Sequence, residues 1–419
     1  MLTEETNITS PYPGLRPFTE GEAIFFKGRE EHIAKIQLEL SQKRFLMVTG
    51  ASGDGKSSLI YAGLLPNVRA GFFRGELGRW SVGIFRPGHH PMQNLAQALA
   101  TALGENVNDV KEKLRFGYSA LTDYYKKSKL FIDTATPEFA ALNEKEQKKV
   151  KRSGNNLLIV VDQFEEFFTN TENFDKETAI PSIEAQLVMN LLLETARLSQ
   201  KTKLPVYIVC TMRSDYIGNA PAYRGLPEII GDNQFFVPRL NRDEITKVIE
   251  EPAELNGNKI SKRLVQRLIN DLDVVNTDVL PSLQHALRRL WELANKGTDE
   301  LDLLHYAMAG GILSTDLPQE DKIKYQNWFL QLPLNEQEVF AETKSTGVSN
   351  ILNHHAEVLY SIAHLSLPLF QRLFATKQIL MPEGQRAQQT NLSKEEAQEF
   401  LKSFFQSADL ASRLQKKVE

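Results

Sequence analysis

At 419 residues the chain is longer than one hydrophobic core usually organises, so two or three domains are expected. Its 42% hydrophobic and 24% charged residues, with a formal net charge of −4, suit an ordinary globular protein and exclude the positive field of a general nucleic-acid or anionic-membrane binder. A single cysteine, Cys210, excludes a disulfide framework, MLTEETNITS has no secretory design, and no apolar run approaches the roughly 20 residues that span a bilayer, so the cytoplasm is expected and no membrane partner.

In chain order, strand-like apolar runs stand at RFLMVTG, WSVGIFRP, NLLIVVD, LPVYIVCTMR and QFFVPRL, with helical periodicity between most of them. That alternation predicts an α/β fold built on a parallel, doubly wound five-stranded sheet. After Asn241 strand signals nearly vanish, and RDEITKVIEEPAEL, SKRLVQRLINDL and LPSLQHALRRLWELANK read as amphipathic helices. From about Gln319 the pattern stays mostly helical, with a Pro/Gly break at MPEGQ before SKEEAQEFLKSFFQS. The expected organisation is an N-terminal segment over residues 1–43, an α/β domain over 44–241, a helical subdomain over 242–315 and a third module over 316–419.

The stretch FLMVTGASGDGKSSLIYAG sets a strand, a glycine-rich loop and a helix start in succession, and Gly50, Gly55, Lys56 and Ser57 fit G-x-x-x-x-G-K-[ST]. Such a loop turns successive backbone N–H groups toward an anion, and the helix dipole adds positive charge there. Gly50, Ser52, Gly53, Asp54, Gly55, Lys56, Ser57 and Ser58 are therefore candidate nucleotide-binding residues. Lys56 is expected to reach the β- and γ-phosphates, and the Ser57 hydroxyl to ligate Mg²⁺. ATP or ADP and Mg²⁺ are the expected cofactors.

Hydrolysis needs acids at the end of a neighbouring strand, and LLIVVDQFEEFF supplies them. Asp162 is the expected Mg²⁺ partner, while Glu165 and Glu166 are both candidates for positioning the attacking water; the spacing does not choose between them. Many related ATPases carry the glutamate directly after the aspartate, where this chain has Gln163. In VYIVCTMRSDY, Thr211 and Arg213 end the next buried run, so Arg213 is a candidate γ-phosphate sensor; an ion pair with Asp215 is the structural alternative. Cys210 reads as a small core residue.

Taken in order, SPYPGLRPF, FFKGREEHI, GASGDGKSSL, WSVGIFRPGHHP, VVDQFEEFF, CTMRSDY and LPSLQHALRRLW resemble the Novel STAND NTPase 1 family from about Pro11 to Gly311. STAND proteins are signal-transduction ATPases with numerous domains, a branch of the AAA+-like P-loop ATPases. The resemblance implies that Gly28 and Arg29 belong to a hinge near the adenine, that the helical subdomain is a lid whose Pro281 packs on the base, and that the last module is winged-helix-like and incomplete. On its residues alone, Pro281 is an ordinary helix-start proline. Family members typically add an effector domain or a repeat-built sensor; neither is visible here, so the expectation is a fragment that lacks its sensor region.

The pairs His89–His90 and His354–His355 lack the companions of a zinc site, and KEQKKVKR, without interleaved aromatics, reads as a solvated loop. The expected function is an ATP-binding signalling NTPase. It would act as a conformational or oligomerisation switch with slow hydrolysis, homo-oligomeric when activated and coupled to an effector or sensor protein. The alternative is an AAA+-type motor or nucleic-acid remodeller, which would need a basic or aromatic substrate channel; none is evident, so nucleic acid is not an expected partner. A small-molecule kinase is disfavoured by the acids and the helical lid.

Overall fold

The computed structural model describes residues 10–272, 279–342 and 346–365. Five strands, β1 (Phe45–Gly50), β2 (Arg79–Phe85), β3 (Asn155–Val161), β4 (Val206–Arg213) and β5 (Gln234–Phe236), form one sheet in the order β2-β3-β4-β1-β5. Every pairing is parallel. β1 is buried along its whole length, and β3 and β4 nearly so. This is why they read as continuous apolar runs: a parallel sheet is covered on both faces. The helices α1 (Glu30–Lys43), α2 (Pro91–Leu103) and α3 (Ile183–Thr202) pack on the sheet. Met47, Ile159, Ile208 and Cys210 share one core with Leu95, Leu99, Val188 and Leu192. Burial pushes the Cys210 thiol far up, so it is held neutral and inert.

Strand register decides what meets at the carboxyl edge of the sheet. Phe85 lies beside Val161, Val161 beside Cys210, and Cys210 beside Met47. The next residues along, Arg86 and Asp162 just past the ends of β2 and β3 and Thr211 within β4, therefore stand side by side at one level. No pattern within a single strand carries that information, because it belongs to the pairing.

The 86–154 connection is helical. Its basic stretch KEQKKVKR lies in a helix, Glu144–Ser153, rather than in the expected loop. Asn143 and Glu146 form a reciprocal capping box at its start, which satisfies two exposed N–H groups and helps a largely polar segment fold. The helix buries none of its residues, so the segment is solvated all the same.

Two compact units divide the chain. One holds the sheet, over residues 29–239 with 19–23. The other comprises residues 10–18, 24–28 and the described residues from 240 onward. This second unit is helical, with α4 (Arg242–Leu255), α5 (Val279–Leu293) and α6 (Val348–Leu365) among its elements. Tyr12 of the N-terminal motif is fully buried in its core, and its hydroxyl donates to the Ile249 carbonyl at 2.6 Å. Gly28 sits against α4 with φ of +76°, and a Cβ there would lie 2.5 Å from the Glu244 carbonyl oxygen. Residues 316–342 and 346–365 are largely helical; beyond 365, SKEEAQEFLKSFFQS and the rest of the winged-helix-like expectation lie outside the described residues. Among the described residues no helix is long and apolar enough to cross a membrane, and no group of three or more His, Cys, Asp or Glu is placed to hold a metal ion.

His355 on α6 stacks on His285 of α5, with ring centroids 5.2 Å apart and facing nitrogens at 3.2 Å. Burial, with Arg289 adding to it, holds His285 down at about 3, His354 at about 4 and His355 well below the ordinary imidazole value.

Gly28→Ala should combine a left-handed backbone strain with a main-chain clash and destabilise the helical unit by about 2 kcal/mol or more. A melting temperature within a degree or so of wild type would contradict that contact. The buried imidazoles give a second expectation. The folded unit binds fewer protons than the unfolded chain below about pH 6.5, so their stabilisation is complete above that value and is lost as the pH falls toward about 4. Melting temperatures measured across that window should fall, and fall less steeply in His285→Gln.

Candidate nucleotide-binding site

After β1 the chain turns through residues 51–55, with Gly53 and Gly55 at φ of +82° and +84°, and re-enters helix at Lys56. Those left-handed positions suit glycine. Gly50 has a different need: a Cβ there would meet Asp54 Oδ2 at 2.7 Å, because the Asp54 carboxylate folds back to accept from the Ala51 N–H. Burial raises the Asp54 carboxyl above its usual range. Ser52 is exposed on the loop and Ser58 buried in the first helical turn.

The Lys56 ammonium lies beneath the loop, donating to Gly50 O at 3.0 Å and Ala51 O at 2.6 Å. Burial depresses its pKa, and Glu165 is the acid that most opposes this. Arg29 is only 3% exposed and ties two backbone segments together, donating to Asp54 O at 3.1 Å and Pro238 O at 2.7 Å. Arg29 of FKGRE thus braces the backbone of the loop.

Asp162, 1% exposed, is the centre of the site. Its Oδ1 accepts from Ser57 Oγ at 2.8 Å and Thr211 Oγ1 at 2.7 Å. Its Oδ2 accepts from the Tyr61 hydroxyl at 3.1 Å and from the Arg86 guanidinium at 3.1 and 3.2 Å. The hydroxyl and carboxylate singled out in the sequence therefore touch. This hard-oxygen pair beside the glycine-rich loop is a donor set that fits Mg²⁺. Arg86 and Tyr61 were not foreseen. Arg86 is legible only through strand register. Tyr61, four residues beyond Ser57 and so on the same face, lies in a π-helical stretch, Leu59–Leu64.

The two glutamates part company. Residues 163–165 wrap over the end of β4: Gln163, at φ of +58°, donates its N–H to Thr211 Oγ1, and Phe164 donates to Thr211 O. The turn carries Glu165 toward Lys56, with its Oε2 accepting from the Arg213 N–H at 3.3 Å. Glu166 instead accepts from the Gly88 N–H at 2.7 Å and fastens the loop after β2. Burial raises both carboxyls above the usual range.

Arg213 pairs with Asp215 at 2.6 Å, the structural alternative left open by its sequence, and that bond holds its pKa up. Gly28 and Pro281 belong to the helical unit, Pro281 half-buried in the first turn of α5.

A family model described as Novel STAND NTPase 1 matches residues 11–320. No curated protein matches significantly. Among solved structures, the Aeropyrum pernix ORC2 protein in its ADPNP-ADP complexes matches at 14% identity and a TM-score of 0.42, over 80% of this chain and 76% of that one. Cdc6p from Pyrobaculum aerophilum matches at 11% and 0.42, over 74% and 72%. The Walker-type ATPase PABY2304 of Pyrococcus abyssi matches at 13% and 0.38, over 82% and 93%. Likeness at this level speaks to neither substrate nor mechanism.

Thr211 satisfies both Asp162 and the strained Gln163 backbone. The near-isosteric Thr211→Val should therefore leave a buried acceptor and donor short of a partner and cost about 1–3 kcal/mol in urea unfolding. An unchanged unfolding midpoint would show that neither bond matters.

Proposed function

The chain belongs to the Novel STAND NTPase 1 family, and from that premise we propose that this nucleotide-binding P-loop NTPase is a signalling switch, set by ATP or ADP and reset by slow hydrolysis. The observation that carries the nucleotide-handling part of the reading is the 2.8 Å bond between Ser57 and Asp162, which joins the glycine-rich loop to the acid of a second strand; the switch part rests on the family. Mg²⁺ held by these two residues would offset the charge that develops on phosphoryl transfer.

The chain's own residues supply the remainder. Lys56 would exchange its two loop carbonyls for phosphate oxygens. Glu165, facing Lys56 and raised by burial, is the better placed of the two acids to accept a proton from water; Glu166 serves the loop instead. Arg213 would leave Asp215 for a γ-phosphate, and that exchange discriminates ATP from ADP. A ligand moves a conformational equilibrium only by its differential affinity for the two states, so the switch needs such a contact.

In this reading residues 1–43 are the hinge, with Gly28 and Arg29, 44–241 the nucleotide domain, 242–315 the lid with Pro281, and 316–419 a downstream module. The active form is a homo-oligomer in the cytoplasm that engages an effector or sensor protein.

Scattering profiles should differ between saturating ADP and a non-hydrolysable ATP analogue, and the difference should shrink in Arg213→Ala. Mg-ATP should raise the melting temperature of wild type and not of Lys56→Ala. Glu165→Gln should keep binding and lose most turnover, about a hundredfold or more for a lost general base, while Glu166→Gln changes turnover less. Identical wild-type profiles with both nucleotides would sink the switch, and turnover stimulated by DNA or RNA would favour a remodelling ATPase.

A further inference from the structure

Asp162 has more partners than a carboxylate awaiting a metal needs. An ionised carboxylate offers about four lone-pair directions. Here Oδ1 is taken by the Ser57 and Thr211 hydroxyls, and Oδ2 by the Tyr61 phenol and the Arg86 guanidinium. Among the described residues, Arg86 is the cation that forms an ion pair with Asp162.

Arg86 is no loose surface side chain, although it is 41% exposed. The loop that carries it is fastened at every step. Asn94 Nδ2 donates to the Arg86 and Pro87 carbonyls, each at 3.1 Å. Gly88, at φ of +55°, donates its N–H to Glu166 and accepts at its carbonyl from Asn173 Nδ2 at 2.7 Å. Glu166, one of the acids of DQFEE, thereby acts on Asp162 at second hand, through the loop that aims the guanidinium.

We propose that Arg86 is a positioning residue that acts as a resident counter-cation: it fills the outer oxygen of Asp162, so that free Mg²⁺ is refused and the metal enters only together with nucleotide. The inference rests on reading this as an Mg-nucleotide site. A divalent cation arriving alone must displace a hydrogen-bonded guanidinium from a buried carboxylate, and gains little in return. Nucleotide phosphates bring further negative oxygens, and those tip the competition. The arrangement suits a switch that must respond to nucleotide and ignore the standing pool of cellular Mg²⁺.

The test is a titration of Mg²⁺ alone, read by thermal melting, on wild type, Arg86→Gln and Arg86→Gln/Asp162→Asn, with NaCl at matched ionic strength as control. Wild type should not respond. Arg86→Gln should melt lower without metal and recover in a saturable, EDTA-reversible way, by roughly 2–4 °C at millimolar Mg²⁺. The double variant should lose that response. Tyr61→Phe, which takes only the phenol from the same oxygen and leaves the guanidinium, should stay unresponsive, and Arg86→Met serves if Arg86→Gln does not fold. Saturable stabilisation of wild type by Mg²⁺ alone overturns the proposal, as does a response that survives Asp162→Asn or the absence of any response in both Arg86→Gln and Arg86→Met. Failure of the underlying reading looks different, since wild type would then gain no stability from Mg-ATP either.

Discussion

A carboxylate withdrawn from water must have its lone pairs filled, and the architecture of the nucleotide site follows from doing so at Asp162. The partners come from separate places in the chain: Ser57 and Tyr61 from the helical run after β1, Arg86 from the end of β2 and Thr211 from β4. Each donor is fixed by an element of the sheet or packed against it. The parallel order that sets β3 between β2 and β4 makes such a convergence possible. Removing one donor leaves a desolvated charge short of compensation, which costs more than the bond itself contributes.

The same economy extends outward from that carboxylate. Thr211 accepts from Gln163 while donating to Asp162, so one hydroxyl holds both the acid and the strained residue after it. Glu166 and Asn173 fasten Gly88 from the far side of the DQFEE turn. Two neighbouring glutamates therefore do different work. One faces the loop lysine, and the other holds the segment that carries the arginine.

Lys56 and Arg213 are both held by the protein's own groups. Each cation already has an acceptor, the loop carbonyls in one case and Asp215 in the other. A nucleotide would compete with contacts that exist, and its net affinity is the difference between the two sets. That difference is what a nucleotide-sensing switch reads.

The sequence by itself determined the fold class, the phosphate loop and the family. Those signals are local: buried parallel strands read as apolar runs, a loop that turns backbone N–H groups inward needs glycines at fixed spacing, and Asp162 ends such a run. A linear pattern did not separate Glu165 from Glu166, because their roles depend on a turn whose path is set by Thr211 on another strand. Nor did it reveal Arg86 or Tyr61 as partners of Asp162, since one reaches it through strand register and the other from a helical run that packs beside a strand distant in sequence. It read KEQKKVKR as a solvated loop, where a capping box opens a largely polar helix, Glu144–Ser153. Tertiary structure decided the partners of Asp162 and the parting of the two glutamates because hydrogen bonds to a buried carboxylate are made between strands far apart in sequence, and pairing brings them together.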